Sequence, residues 1–264
     1  MSVQNLQVVD ELTRASQTLV RGVLDAKCFI SRLPPKLLGQ VFYLVPGRLP
    51  IDGTSCSRAR RTYDLVPLTH VCRCWRDIAF SISSLWQTIC ETSRAHTAWH
   101  VLRARARQTP LIIYVDRPQA SLALSDILAS DGHAVTELHL RGLQEEPAAR
   151  LASDLLAFPA PHLRHATVSI RRKPGAPSHS AAGLEPLVEF WSGTAPNLKT
   201  LELHDVPLLP SNYFGSLARL QLSFDLVPFE WTLCDLLRVI QRSPVLEYVS
   251  LRGLPSDLHL RHSC

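Results

Sequence analysis

Two pairs of side chains have a spacing that could bind a metal ion. His96 and His100 are four residues apart, and Cys72 and Cys74 are separated by one residue. A metalloprotease helix has a glutamate directly after its first histidine, where this chain has Thr97. Zinc-binding and redox cysteine pairs have two intervening residues instead of one. The sequence therefore predicts no metal site, and the two histidines are interpreted as a surface pair.

The motifs of well-known catalytic centres do not occur in the sequence. There is no Gly-x-Ser-x-Gly nucleophile turn, no phosphate-binding loop and no dinucleotide fingerprint. Glycine is also scarce, at 11 residues, which disfavours loops that surround a phosphate. We therefore predict that the chain is not an enzyme and uses no cofactor.

The composition is that of a folded protein without a membrane or nucleic-acid partner. Of the 264 residues, 46% are hydrophobic and 19% are charged, and the net charge of +5 comes from scattered basic residues. The longest strongly apolar run, residues 111–115, is too short to span a membrane. Asp10 and Glu11 interrupt the region that is apolar in a signal peptide. A cytoplasmic and/or nuclear location is therefore expected.

The first hundred residues have the apolar spacing of helices. Residues 3–26 form an amphipathic pattern, either a helix packed on the following module or a short coiled coil. Another helix is expected to begin at the prolines of Leu33-Pro34-Pro35, since proline at the first helical position loses no hydrogen bond. Residues 47–63 are rich in Pro, Gly, Ser and Arg and predict a loop. Helices are predicted over 65–80 and about 95–107.

Short motifs in this helical region follow one another in a fixed order. They begin at Leu33 (Leu-Pro-Pro), Val71 (Val-Cys), Trp75 (Trp-Arg) and Leu85 (Leu-Trp). Taken together, residues 30–90 resemble an F-box, and especially the large fungal (mushroom-type) set of F-box-like proteins. The resemblance implies docking on a Skp-type adaptor, and through it on the cullin scaffold of a ubiquitin ligase.

A module of this size cannot bury all of its apolar side chains, so some of them are expected to form an exposed partner site. The predicted adaptor-binding residues are Leu33, Pro34, Pro35, Leu37, Leu38, Val41 and Val71. Trp75 and Trp86 are assigned to the core instead, because large aromatic side chains dominate small cores. The long loop over 47–63 leaves the register of the helix that carries Val71 open.

From Pro110 onwards the pattern changes to short strands, the first over 111–115. The pattern apolar-x-x-apolar-x-apolar then recurs at Val135/Leu138/Leu140, Leu163/Ala166/Val168, Leu198/Leu201/Leu203, Leu217/Leu220/Leu222 and Leu246/Val249/Leu251. Helices are predicted between these strands over 147–156, 184–191 and 232–240, the last with a capping box of Thr232 and Asp235. Strands and helices that alternate with such periods are typical of a leucine-rich-repeat solenoid.

The predicted fold class is α/β, an N-terminal helical F-box-like module followed by an irregular α/β leucine-rich-repeat solenoid. The predicted parts are an N-terminal amphipathic helix (1–29), the F-box-like domain (30–90), a linker helix (91–109) and the repeats (110–264), which end soon after a strand, as expected of a truncated array. The asparagine usual in such repeats is replaced by Val206 and Leu254, which favours longer and less regular turns.

Polar residues alternate with the leucines of these strands and are expected to be exposed on the concave face. The predicted substrate-binding residues are Glu202, His204, Gln221, Ser223, Ser250 and Arg252. The resemblance then implies a substrate-receptor subunit of a cullin-based ubiquitin ligase, in which the repeats hold an unidentified protein near the conjugating enzyme. The alternative is a non-catalytic repeat protein in which the F-box-like segment is only a structural N-cap.

Overall fold

The computed structural model describes residues 3–27, 29–47, 61–91, 98–116, 128–144, 156–171, 187–224 and 231–253. Within these ranges the chain divides into two compact units. Residues up to 47 together with 61–85 form the first, which we name the helical unit. Residues from 86 onwards form the second, which we name the sheet unit.

The described part of the helical unit contains four α-helices. They are α1 (Val3–Lys27), α2 (Pro35–Leu44), α3 (Leu68–Val71) and α4 (Arg73–Ser81). The helix predicted to begin at the two prolines is confirmed, with Pro35 as its first residue, and so is the helix predicted over 3–26. The helical stretch predicted over 65–80 is divided at Cys72, whose extended backbone (φ −155°, ψ 172°) separates α3 from α4. No helix in the described ranges is long and apolar enough to cross a membrane.

The core of the helical unit includes the inner side of α2. Leu38 and Phe42 lie one turn apart on this helix, and both are buried. The ring of Phe42 packs on that of Trp75 in α4, with 5.2 Å between the ring centroids. A Cβ atom at Gly39 would lie 2.7 Å from Ile82 Cδ1, so a larger residue at this position would require the end of the Ile82 side chain to shift. Small and large side chains therefore fix how closely these segments pack.

The described part of the sheet unit contains two complete α-helices, a helical stretch over 128–131 and nine strands. The helices are α5 (Ala98–Ala106) and α6 (Leu233–Gln241). The strands are β1 (Thr88–Glu91), β2 (Leu111–Asp116), β3 (Val135–Gln144), β4 (His165–Arg171), β5 (Leu187–Val188), β6 (Thr200–His204), β7 (Leu209–Pro210), β8 (Arg219–Ser223) and β9 (Tyr248–Arg252). Seven of them form a parallel sheet in the order β1-β2-β3-β4-β6-β8-β9, and β5 pairs with β7.

The sheet has one face of apolar residues in continuous rows. Leu138, Ala166, Leu201 and Leu220 occupy equivalent positions on β3, β4, β6 and β8, and all four are buried. These are positions of the apolar pattern found in the sequence, so the five predicted repeat strands and the strand over 111–115 are confirmed as strands. Because side chains alternate along a strand, the polar residues between them lie on the opposite face.

The helix predicted at the end of the chain is confirmed with its capping box. The Thr232 hydroxyl accepts a hydrogen bond from the Asp235 N–H at 3.3 Å, and the Asp235 carboxylate accepts one from the Thr232 N–H at 2.8 Å. The helix predicted over about 95–107 is confirmed in its described part as α5, whose Trp99 and Leu102 are buried. Nearly all of the helix predicted over 147–156 lies outside the described residues.

The helix predicted over 184–191 is wrong in the part that the structure describes. Leu187–Val188 form β5, and the backbone of Phe190 is extended. The buried side chain of Asn212 bonds to both backbone groups of Phe190 in this extended conformation. Its Oδ1 accepts from the Phe190 N–H at 2.8 Å, and its amide group donates to the Phe190 carbonyl at 2.6 Å. A distant asparagine therefore stabilises a conformation that local apolar spacing does not indicate.

The first strand of the sheet has no counterpart among the predicted elements. β1 has four residues, and its Thr88, Ile89 and Cys90 are all buried. Ile89 pairs with Ile113 of β2, which continues the apolar rows to this edge. Val206, which stands near the position expected for an asparagine, is also buried, whereas Leu254 lies outside the described residues.

Candidate functional site

An apolar stripe runs along the exposed side of α2. We use this name for Leu37, Val41 and Leu44, which follow one another at steps of four and three residues and so lie on one side of the helix. Leu37 is 44% exposed and Leu44 is 79% exposed, while Val41 is partly buried. Exposed leucines at helical spacing, beside a second row that is buried, indicate a surface for a partner.

Six of the seven predicted adaptor-binding residues form three groups in the structure. Leu37 and Val41 belong to the apolar stripe, and Pro34 and Pro35 are exposed at the start of α2, with the partly buried Leu33 just before them. Val71 is exposed at the end of α3, on a different element.

Leu38 is the exception, because it is buried on the inner side of α2 and belongs to the core. Its place in the predicted surface is therefore corrected. The helical period explains this, since a residue one step beyond Leu37 is rotated by about 100° around the helix axis. Leu44 was not among the predicted site residues, although its spacing of seven residues from Leu37 could have identified it.

The residues that flank the undescribed segment 48–60 are bonded to each other. The N–H of Arg61 donates to the Gly47 carbonyl at 2.9 Å, and the N–H of Gly47 donates to the Asp64 carboxylate at 2.9 Å. Gly47 and Arg61, the two residues on either side of this segment, therefore lie side by side. Asp64, at the start of the elements that follow, bonds directly to the residue that precedes the insertion.

The two tryptophans of the F-box-like motifs differ in their surroundings. Trp86 is fully buried, and the guanidinium carbon of Arg105 lies 4.6 Å from its ring centroid. Burial lowers the pKa of Arg105. Trp75 is partly exposed but packs on Phe42. Trp86 is thus confirmed as a core residue, and Trp75 takes part in the packing of α2 on α4.

Polar residues form a row across the other face of the sheet. We name His139, Thr167, Glu202, Gln221 and Ser250 the polar row, because they pair in register on β3, β4, β6, β8 and β9. His139, Thr167, Glu202 and Gln221 are all buried, and Ser250 is partly exposed. This face is therefore shielded from solvent along most of its length.

The predicted exposure of Glu202, Gln221 and Ser223 is wrong, since all three are buried. The alternation of side chains assigns these residues to a face, but it does not determine whether that face is covered. Of the remaining predicted substrate-binding residues, His204 and Ser250 are partly exposed, and Arg252 is exposed.

Hydrogen bonds between strands satisfy much of the polar row. The Thr167 hydroxyl donates to Glu202 Oε2 at 3.3 Å, and His139 Nδ1 lies 3.1 Å from the same hydroxyl. A hydroxyl has one proton to donate, so His139 Nδ1–H is the donor to Thr167. The other oxygen of Glu202, Oε1, is buried without a hydrogen-bond partner in the described part of the chain. Thr167 is therefore the bridge between a histidine and a carboxylate.

Histidines flank the polar row on both sides. His204 Nδ1 lies 2.6 Å from the Ser223 hydroxyl, and its Nε2 lies 3.9 Å from Glu202 Oε2. His165 has a buried Nδ1 atom without a hydrogen-bond partner among the described residues. Burial is the main cause that lowers the pKa of His165, and the nearby carboxylate of Glu137 opposes it. A lowered pKa keeps this imidazole neutral at physiological pH.

The described residues contain no group of three or more His, Cys, Asp or Glu side chains that is suited to a metal ion. Cys72 and Cys74 are free thiols, and the side chain of His100 is exposed. His96 lies outside the described residues. Of the two features, the exposed apolar stripe is the one that is suited to binding another protein, since most of the polar row is buried.

Comparison with known proteins supports this interpretation for one part of the chain. No curated protein and no solved structure gave a significant match. The sequence pattern of the F-box-like family matches residues 30–92, a segment that includes α2, α3, α4 and β1. The apolar stripe and Val71 both lie within the matched segment. Residues 30–92 of this chain are an F-box-like domain.

Proposed function

We propose that the chain is a substrate-receptor subunit of a cullin-based ubiquitin ligase. Its F-box-like domain binds a Skp-type adaptor, the adaptor joins it to the cullin scaffold, and the sheet unit holds a protein substrate. The chain itself is not an enzyme. It raises the local concentration of the substrate near the ubiquitin-loaded conjugating enzyme. Such a receptor would act in the cytoplasm or the nucleus, and the fungal F-box-like proteins are the group that its motifs resemble.

The observation that carries the proposal is the exposed apolar stripe within the F-box-like domain. Leu37 and Leu44 are exposed on a helix whose other side is already packed through Leu38 and Phe42. Domains of this family typically bind Skp-type adaptors, and an apolar helix face is suited to such an interface. The bonded pair of Gly47 and Arg61 supports docking, because the 48–60 insertion begins and ends at one point.

Two features support an irregular leucine-rich-repeat solenoid as the substrate-binding part. The parallel strands follow the order of the chain, so each new strand adds to the edge formed by the previous one. Leucines recur at equivalent positions on β6 and β8, as in Leu201 with Leu220 and Leu203 with Leu222. Stacked repeats bury their apolar rows in this way. On this proposal the substrate contacts the accessible polar residues His204, Ser250 and Arg252.

The direct test is capture of a purified Skp-type adaptor by the full chain. Leu37→Asp combined with Leu44→Asp places two carboxylates in the apolar stripe without changing the packed side of α2. We expect the dissociation constant for the adaptor to rise by at least about tenfold, because charges would be buried without partners on binding. Isothermal titration calorimetry measures this constant.

A matched control is Val101→Asp on α5, where the side chain is 49% exposed and lies in the sheet unit. This variant should bind the adaptor as tightly as the wild type. Equal binding by the double variant, with an unchanged circular dichroism spectrum, would exclude the apolar stripe as the docking surface.

One observation favours a second function. β1 is the first strand of the sheet and lies inside the matched segment 30–92, so the end of the F-box-like segment also supplies the sheet's first edge. A repeat protein whose F-box-like segment is only a structural N-cap would have this feature. In that case the wild-type chain would be folded but would show no affinity for any Skp-type adaptor.

A further inference from the structure

The two edges of the seven-stranded sheet differ in their exposure. At the β1 edge, Thr88, Ile89 and Cys90 are buried. At the β9 edge, Tyr248 is 48% exposed and Val249 is 38% exposed, and within the described ranges β9 pairs with β8 alone. An uncovered edge strand with apolar side chains is a template for further strand pairing.

The hydrogen bonds of β9 show which of its backbone groups are directed away from β8. The Tyr248 N–H donates to the Ala218 carbonyl at 3.0 Å, and the Arg252 carbonyl accepts from the Phe224 N–H at 3.0 Å. The N–H and C=O groups of one residue point to the same side of a strand, and this side alternates along the chain. Tyr248, Ser250 and Arg252 therefore bond towards β8.

Val249 and Leu251 consequently direct their N–H and C=O groups outwards. An antiparallel copy of β9, related by a two-fold axis at Ser250, would place Val249 opposite Leu251 of the second copy. Each such pair exchanges two hydrogen bonds, so the two symmetry-related pairs would satisfy all four outward groups of each strand. A two-fold axis generates this pair twice, once on each side of Ser250.

The side chains are also complementary under this symmetry. Tyr248 would lie opposite Arg252 of the second copy, and two Arg252 side chains would not face each other. Within one chain, the guanidinium carbon of Arg219 already lies 5.3 Å from the Tyr248 ring centroid, on the side of β8. A second guanidinium could approach the ring from the opposite side. On the leucine face, Val249 would cover Leu251 of the second copy.

We propose that β9 is a self-association edge through which two copies of this chain pair antiparallel and join their sheets. A five-residue strand pair buries less area than a permanent interface needs, so the dimer is weak and depends on concentration. This inference does not rest on the adaptor-binding proposal. In combination with it, a dimer would present two adaptor-docking surfaces to one assembly.

The experiment is sedimentation velocity of the full chain over a range of concentrations. Val249→Pro removes an outward N–H group and leaves the N–H groups that bond to β8 in place. Val249→Ala is the matched control, since it shortens the same side chain but keeps the N–H group. The wild type and Val249→Ala should dimerise as concentration rises, and Val249→Pro should remain monomeric. A monomeric wild type, or equal dimerisation of the Pro and Ala variants, would overturn the proposal.

A second variant tests the position of the symmetry axis without relying on proline. Ser250→Cys places two thiols opposite each other at the two-fold axis, in the closely spaced pair of an antiparallel ladder. Under mild oxidation this variant should form a covalent dimer in higher yield than the wild type. Tyr213→Cys, at a well-exposed position elsewhere in the sheet unit, serves as the control. Equal yields for the two variants would reject pairing at Ser250, as expected if another chain occupied this edge.

Discussion

On β4, β6 and β8, apolar and polar side chains alternate residue by residue, and both kinds are buried. Leu203 and Glu202 are neighbours on β6, and neither is exposed to solvent. The two faces differ in what stabilises them. Leu203 gains from the removal of its surface from water, to which any close-packed neighbour contributes. Glu202 depends on specific hydrogen-bond partners such as Thr167, because a buried carboxylate without them is unstable.

This difference shows that burial alone does not define the core of the sheet unit. On the leucine face the requirement is volume, which many apolar residues can meet. On the polar face the requirement is the position of individual atoms, which few substitutions preserve. Substitutions on the two faces should therefore differ in how much they lower the free energy of unfolding and in how this effect depends on pH.

The largest effect is expected on the leucine face. Leu203→Ala leaves a cavity between the rows of β4 and β8 and should lower the free energy of unfolding of the sheet unit by about 2–5 kcal/mol. Urea denaturation followed by tryptophan fluorescence measures this loss. Leu237→Ala, at an exposed position of α6, provides the control and should change it by less than about 0.5 kcal/mol. Similar losses for both would indicate that the leucine rows are loosely packed.

A smaller effect is expected on the polar face. Thr167→Val keeps the shape of the side chain but removes the hydroxyl between His139 and Glu202, which should cost about 1–3 kcal/mol of unfolding free energy. The same change at the exposed Thr194 should be nearly neutral, because water can replace its hydrogen bond. If Thr167→Val were also neutral, the buried polar row would not depend on hydrogen bonds between its strands.

The smallest effect is expected to appear only in acid. The pKa of His165 is lowered by burial, so near pH 7 the imidazole is neutral in both folded and unfolded chains. As the pH falls through about 6.5, the unfolded chain binds a proton at this site and the folded chain does not, so stability is lost. His165→Gln removes this loss.

The measurement is the difference in unfolding free energy between wild type and His165→Gln at several pH values from 7.5 to about 5. As the pH falls, the unfolding free energy of the variant should increase relative to that of the wild type. A difference that stays constant over this range would contradict a lowered pKa at His165.

The sequence indicates much of the fold because periodicity is a local property. Apolar spacing located α2 and the repeat strands, and the pair of Thr232 and Asp235 marked the start of α6. The structural features that local spacing did not predict depend on residues that are distant in the chain or on segments too short to show a pattern. The extended backbone at Phe190 is stabilised by Asn212, 22 residues later in the chain. The four residues of β1 give too short a pattern to be recognised.

The candidate site follows the same rule. The spacing of Leu37 and Val41 is a local signal, and it correctly placed both on one side of a helix. The exposure of Glu202, Gln221 and Ser223 depends on whether other segments cover their face of the sheet. The alternation of side chains along a strand carries no information about this. Leu38 was included in the surface because its apolar type alone does not distinguish a core residue from a partner-binding one.

The order of the strands also has a kinetic consequence. Along the chain, each new strand of the large sheet pairs with the strand of this sheet that came before it. The loops that must close during folding are therefore short for a parallel sheet, and strands can be added one at a time to a growing edge. Unfolding can proceed in the reverse direction. In the described part of the sheet, β1 and β9 each have a single neighbour, but only β9 carries exposed side chains, so its amide hydrogens should be the first of the sheet to exchange with solvent, long before those of the central strands.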